Sequence, residues 1–352
     1  MRPGRQFMAA LAVLLLPYVV TLAWSGGVSG AYGNGLKTGE GTSGGLFGGT
    51  GGVSGSQGGI TGQSGSESEN RQGMRKKIYI GNGQKGYLDV ETYLVGTVAR
   101  QIPAEYGLEA LKAQAIITRT YIYGQMDGRT QIQEEELGLK SLGEEQMESL
   151  WGRENFVEYY DKISQAVQET KGLVMALEEG EENLVPEPMF HRASTGYTRD
   201  GGEGYPYLQS VDSPWDVEAE GYLTVTEWEP GEVVRLMKEA AVKRGGEEPE
   251  LSEGQVMDTI QLVSRDKAGY VKEIQIGAHI YTGEEIQAAL GLPSAAFTLE
   301  EHEGMVRAVC KGIGHGYGLS QQGAHGMAQE GKTAEEILKY YYQNIKIISP
   351  KM

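Results

Sequence analysis

The sequence predicts an α+β domain: a mixed, mainly antiparallel sheet with packed helices, preceded by a membrane anchor and a disordered linker. Three observations carry this reading. Alternating apolar runs come in adjacent pairs about turn residues, most clearly in residues 259–277, so strands pair as hairpins. Thr282-Gly-Glu-Glu285 and Thr333-Ala-Glu-Glu336 have the form of capping boxes and open separate helices. Ahead of all this, an apolar run leads into a Gly/Ser-rich stretch with no periodicity. The resulting division is a transmembrane anchor or signal segment over 1–25, a linker over 26–73 and one folded domain over 74–352.

Met1–Gln6 carries Arg2 and Arg5, and the apolar run Phe7–Trp24 after them is long enough for a bilayer span. The arginines place the N-terminus inside the cell. The expected localisation is therefore the cell membrane, single-pass with the C-terminal domain extracytoplasmic, or secreted if the chain is cleaved near Ser29-Gly30-Ala31. The linker should act as a flexible tether with a reach of roughly 35–40 Å.

Folded sequence begins near Lys76, with short strands about a Gly-Asn-Gly turn and then a helix. Pro103 marks a turn, and residues 108–122 carry two apolar rows at helical spacing. A helix apolar on two faces is buried, so Gln114 and Arg119 need partners within the core. Residues 127–154 are acidic and read as a surface insertion with a solvated face. Phe156, Tyr160, Ile163 and Val167 share one helical face, closed by Gly172. Residues 173–194 suggest a hairpin, and Pro230 opens a helix that ends at Gly245-Gly246. The hairpin over 259–277 turns at Asp266–Gly269. Residues 304–314 read as a strand, and Ser320 as the cap of a helix through Glu330.

Of the 352 residues 53 are glycine, and the formal net charge is −17. That charge argues against a nucleic-acid partner and offers no basic patch for anionic lipid. Cys310 is the single cysteine, which excludes an intrachain disulfide and a multi-cysteine zinc site. It reads as a small buried apolar residue.

Three stretches resemble the SpoIID/LytB family: "VETYLVGTVARQIPAEYGLEALKAQAIITRTYIYG", "FHRASTGYT…YPYLQSVDSPWD" and "GIGHGYGLSQQGAHGMAQEGKTAEEILKYYY". The resemblance runs in order from about Lys76 to the C-terminus and implies a role on peptidoglycan glycan strands, in sporulation or wall remodelling. Sporulation members of the family cleave as lytic transglycosylases, with a Glu as acid just before the Met-Pro of the first motif. Gln101 stands at that position here. A glutamine matches glutamate in size but has no proton to give, and losing a general acid costs about 10²–10⁴-fold. Two readings follow. In one the protein grips glycan and assists hydrolases, its partners being a cell-wall amidase or other sporulation proteins. In the other it is a transglycosylase using a substitute acid such as Glu105; Glu109 should point elsewhere on the helix. Whether it is an enzyme stays open between them.

"GIGHGYGLS" puts glycines at 312, 314, 316 and 318 around His315. Dinucleotide, P-loop and nucleophile-elbow fingerprints all fail on the residues that follow. A glycine-lined wall for a sugar chain competes here with tight backbone packing. His315, Tyr317, Ser320 and Gln321 are the expected glycan contacts of this motif. The middle motif would supply His191, Ser194, Thr195, Tyr207, Asp212 and Trp215, through hydroxyls, a carboxylate and rings that stack on pyranose faces. Arg119 is the expected contact from the first. A Ser194/His191 or Ser320/His315 nucleophile pair can be written, but no motif supports it. His191, His315, His325 and Cys310 lack metal-ligand spacing. No metal and no cofactor are expected.

Overall fold

The computed structural model describes residues 76–350 apart from 81–85, 180–182, 244 and 246–247. The expected anchor and linker lie outside the described residues. Among the described residues no helix is long and apolar enough to cross a membrane.

The chain opens with antiparallel β1 (Lys77–Ile80) and β2 (Gly86–Asp89). Asp89 caps helix α1 (Val90–Gln101) by accepting from the Glu91 amide at 3.0 Å. The chain breaks around Pro103, and α2 (Leu108–Met126) follows. Both apolar rows of α2 are interior: Leu111, Ala115 and Ile122 on one, Ala110, Ala113 and Ile117 on the other. Its β-branched residues would each weaken an isolated helix by a few tenths of a kcal/mol. Burying one isoleucine returns roughly 1.5–3 kcal/mol, so packing and not propensity holds α2.

The acidic stretch departs from expectation. β3 (Gln131–Gln133) pairs parallel with β1, and the short helices α3 (Glu134–Leu137) and α4 (Glu144–Trp151) follow. Glu134 is buried, accepting from the Tyr93 hydroxyl at 3.1 Å, and Leu137, Leu139 and Met147 enter the core beside it. Helix α5 (Arg153–Glu169) packs on α1 and α2, and Gly172 takes a left-handed φ past its end as predicted. The hairpin expected over 173–194 is reduced to one bridge, Ala176↔Leu184. The main partner of β4 (Val174–Leu177) is the last strand of the chain, a distant pairing that local turn signals do not announce.

β5 (Phe190–His191) leads to a second hydrophobic core. There β6 (Leu223–Trp228), α6 (Pro230–Lys243) and α7 (Glu253–Asp258) precede the sheet β7 (Gln261–Arg265), β8 (Val271–Ile276) and β9 (His279–Tyr281). Helix α8 (Gly283–Leu290) starts on the Thr282 capping box, and β10 (Phe297–His302) and β11 (Met305–Lys311) complete a sheet of order β10-β11-β6. Cys310 is buried there as expected. β12 (Leu319–Ser320) returns the chain to the first core, parallel to β5. Helix α9 (Gln321–Gln329), capped by Ser320, α10 (Ala334–Tyr341) on the Thr333 capping box, and β13 (Ile345–Ile348) against β4 end the described fold.

The architecture is thus α+β and mixed, as predicted. Among the described residues the strands form small sheets of two or three strands, mostly antiparallel, with β1–β3 and β5–β12 parallel. The Gly312–Gly318 segment is the seam where the two cores meet. It bridges Ala193 from Ile313, Ser294 from Gly314 and Arg199 from Tyr317. A Cβ on Gly318 would fall on the Met189 carbonyl oxygen, and one on Gly316 on the Tyr270 hydroxyl; both residues also have positive φ. Only glycine allows that approach. The alternating glycines therefore serve close packing, while Ile313, His315 and Tyr317 between them keep partial exposure.

Candidate functional site

Gln101 ends α1 where the break at Pro103 brings it against α2 and the first turn of α9. Gln321 Nε2 lies 2.7 Å from the Gln101 backbone carbonyl, which can only accept, so this end of Gln321 is the nitrogen. The same nitrogen meets the Gln114 amide at 3.1 Å, whose near atom must then be oxygen. The remaining end of Gln114 is Nε2, which donates to Gln101 at 3.1 Å. The inward atom of Gln101 is therefore Oε1, and it also accepts from the Thr118 hydroxyl at 2.6 Å. That chain of donors leaves Gln101 Nε2 outward, on a half-buried residue, without an acceptor among the described residues. The polar residues of the buried helix thus belong to a network that orients position 101.

A second group joins all three motif segments beside this one. Tyr106 donates from its hydroxyl to Gln322 Oε1 at 2.6 Å, and its ring stacks on His325 with centroids 4.4 Å apart. The Gly107 amide donates to His325 Nδ1 at 3.0 Å. The Arg192 guanidinium, from the middle motif, lies 5.1 Å from the centre of the Tyr106 ring. Burial pushes the Tyr106 phenol up to about 12, so it remains a donor at neutral pH, and burial lowers the His325 imidazole. Glu105 is exposed next to this group, and Lys162 holds its backbone carbonyl at 3.1 Å. Glu109 turns away, as expected, and accepts from the amide of Ala334 at 2.7 Å.

Asp216 holds the middle and closing motifs together. Its carboxylate is buried and accepts from Ser194 N at 2.6 Å, Ser194 Oγ at 2.5 Å and Ser320 Oγ at 2.5 Å. Burial raises its pKa despite these donors. Ser320 meanwhile caps α9. Neither serine bonds to a histidine, so the two nucleophile pairs that can be written do not exist.

Both histidines expected at the glycan are held by backbone hydrogen bonds, His191 buried and His315 partly exposed. His315 Nδ1 accepts from the Tyr317 amide at 3.0 Å, and the ring makes a further backbone hydrogen bond to Phe190. His191 is buried and bonds from Nδ1 to the Tyr317 carbonyl at 3.1 Å, while its buried Nε2 has no partner. Burial depresses His191 to about 4, and burial together with the neighbouring His191 and Arg199 depresses His315 to about 3. The sign of the linkage follows. An unfolded chain takes up the His191 proton near pH ~6.5 and the folded protein only near pH 4, so this stabilisation is complete above about 6.5 and lost as the pH falls through that window. His191→Asn keeps a donor for the Tyr317 carbonyl but cannot titrate. Urea denaturation of both proteins should show wild type losing about 2 kcal/mol relative to the variant between pH ~7 and ~5. Parallel pH profiles would mean that His191 is solvated.

Other expected contacts are also interior or engaged. Arg119 is fully buried, paired with Glu91 at 2.6 Å and donating to the carbonyls of Leu173 and Val167, so it ties α2 to α1 and α5. Tyr207 is buried, with its hydroxyl on the Glu187 backbone. Trp215 packs over Gly326 of α9 and donates to Glu330 at 3.0 Å. Thr195 donates to the Ala268 carbonyl at 2.6 Å, and Tyr317 lies under Arg199. Asp212 is exposed, with its carbonyl bonded by Tyr340. Only Gln101, Glu105 and Gln321 of the expected set belong to the convergence. Tyr106, Arg192, Gln322 and His325 were not anticipated. A usable signal existed in the helical spacing of Gln322 and His325, which shows one face to Tyr106.

A family model described as SpoIID, stage II sporulation protein, matches residues 83–177. Stage II sporulation protein D of Bacillus amyloliquefaciens is 31% identical over 274 residues, 74% of this chain and 74% of the relative. The protein of that name from Bacillus subtilis (strain 168) is 31% identical over 276 residues, with the same coverage of both chains. An uncharacterized protein of Brachyspira hyodysenteriae is 26% identical over 287 residues, 74% of this chain and 67% of that protein.

Proposed function

Because this chain belongs to the stage II sporulation protein D family, whose membership implies a sporulation-related role at the cell wall, we propose that it grips peptidoglycan glycan strands without cutting them. In this reading it acts outside the cell membrane, tethered by its N-terminal segment, and assists partner hydrolases such as an amidase. The observation that carries the reading is the amide at position 101. Its oxygen is fixed inward by Thr118 and Gln114, and its outward atom is a nitrogen that donates a hydrogen bond and has no proton to give a leaving group. Binding survives that substitution; acid catalysis does not. The alternative, a transglycosylase using Glu105, has in its favour that Glu105 adjoins the Tyr106–His325 group, yet the side chain is exposed rather than enclosed with Gln101.

Purified sacculi incubated with the full chain test this. The expected result is co-sedimentation with the sacculi and no anhydro-muropeptides in the supernatant. Anhydro products from wild type that disappear in Glu105→Ala would overturn the binding reading in favour of the alternative.

A further inference from the structure

We infer that Arg192 is a specificity-determining residue that recognises a carboxylate on the bound glycan. The inference rests on the glycan-binding reading above and adds the chemistry of what is recognised.

Arg192 is where the middle segment turns outward. His191, Ala193 and Ser194 beside it are buried, while Arg192 keeps partial exposure. Its backbone is fixed: the carbonyl accepts from Gln322 N at 3.0 Å. Its guanidinium rests by the Tyr106 ring, and among the described residues no carboxylate or carbonyl accepts from it. Two buried arginines of the fold are treated differently. Arg119 is paired with Glu91, and Arg199, also placed over tyrosine rings, is paired with Asp266 and Glu284.

In a chain of net charge −17, carboxylates are plentiful, so an arginine held without one at the meeting point of three motifs leaves its donor fork open. That fork matches a carboxylate through two parallel hydrogen bonds. Contact with the Tyr106 ring restrains the side chain before binding, which lessens the freedom lost when a ligand arrives. The outward Nε2 of Gln101 supplies a neutral donor, linked to the Tyr106–Arg192 group through the adjacent residues Gln321 and Gln322. Together they suit a sugar that carries both amide or hydroxyl acceptors and an acid. Peptidoglycan offers that acid from two sources, the lactyl group on the sugar and the end of a stem peptide.

Isothermal titration of the full chain with three tetrasaccharides separates these possibilities: neutral chitotetraose, a muramic-acid tetrasaccharide with free lactyl groups, and the same sugar bearing stem peptides. Wild type should bind one acidic sugar roughly ten- to a hundredfold more tightly than chitotetraose, and which one identifies the source. Arg192→Gln should abolish that gap, the affinity for the acidic sugar falling to that for chitotetraose. Arg192→Lys, which keeps the charge but not the fork, should retain part of it and serves if the glutamine variant does not fold. An equal affinity of wild type for acidic and neutral sugars, or a gap that persists in both variants, overturns the inference alone. Failure of wild type to bind any of the three overturns the glycan-binding reading itself.

Discussion

A Gln101→Glu protein is expected to release anhydro-muropeptides from sacculi at a rate on the order of 10²–10⁴-fold above wild type. The amide network makes this a one-atom change. In the variant, one carboxyl oxygen takes over the donors from Thr118 and Gln114, and the other occupies the outward place now held by Nε2. The outward oxygen is the one that can carry and deliver a proton. A second substitution checks that the network does the orienting: Thr118→Val in the glutamate background removes the 2.6 Å donor and should lower the gained activity. High-performance separation of the muropeptides reads both. If Gln101→Glu binds sacculi as wild type does and still yields no anhydro product, position 101 is not where this fold delivers a proton.

Asp216→Ala is expected to destabilise the protein by about 3 kcal/mol, measured by urea denaturation near neutral pH. The carboxylate is the shared acceptor for an amide and two hydroxyls in a place water does not reach. Each donor left unpaired there costs roughly 1–3 kcal/mol, offset in part by relief of a buried charge. Asp216→Asn should cost far less. Its oxygen can serve both Ser194 donors, and its nitrogen can donate to Ser320, whose hydroxyl rotates to suit. Asp216→Ala should also weaken glycan binding more than its stability loss explains, because Ser320 sets the start of α9 and with it Gln321, Gln322 and His325. An alanine variant with an unchanged denaturation midpoint would remove Asp216 from this role.

The parts legible from sequence were those whose physics is local. The capping boxes at Thr282 and Thr333, the Asp266–Gly269 turn and the twice-apolar helix over 108–122 need no knowledge of distant residues. The failures share one cause. Glu134 reads as solvated because its partner Tyr93 lies 41 positions away. Arg119, Tyr207 and Trp215 carry side chains that suit a sugar as well as a core, and their partners lie far along the chain.

The sequence by itself determined that position 101 has no proton to donate, since no fold can make an amide a general acid, and that a buried helix with Gln114 and Arg119 must satisfy them internally. Only the tertiary structure decided which way the Gln101 amide faces, that His191 and His315 lie in a seam, and that Arg192 turns outward. The reason is that a polar group's fate depends on whether a partner or water meets it. Those partners were brought together by the return of Gly312–Gly318 between two cores, a passage that glycine permits at every second residue.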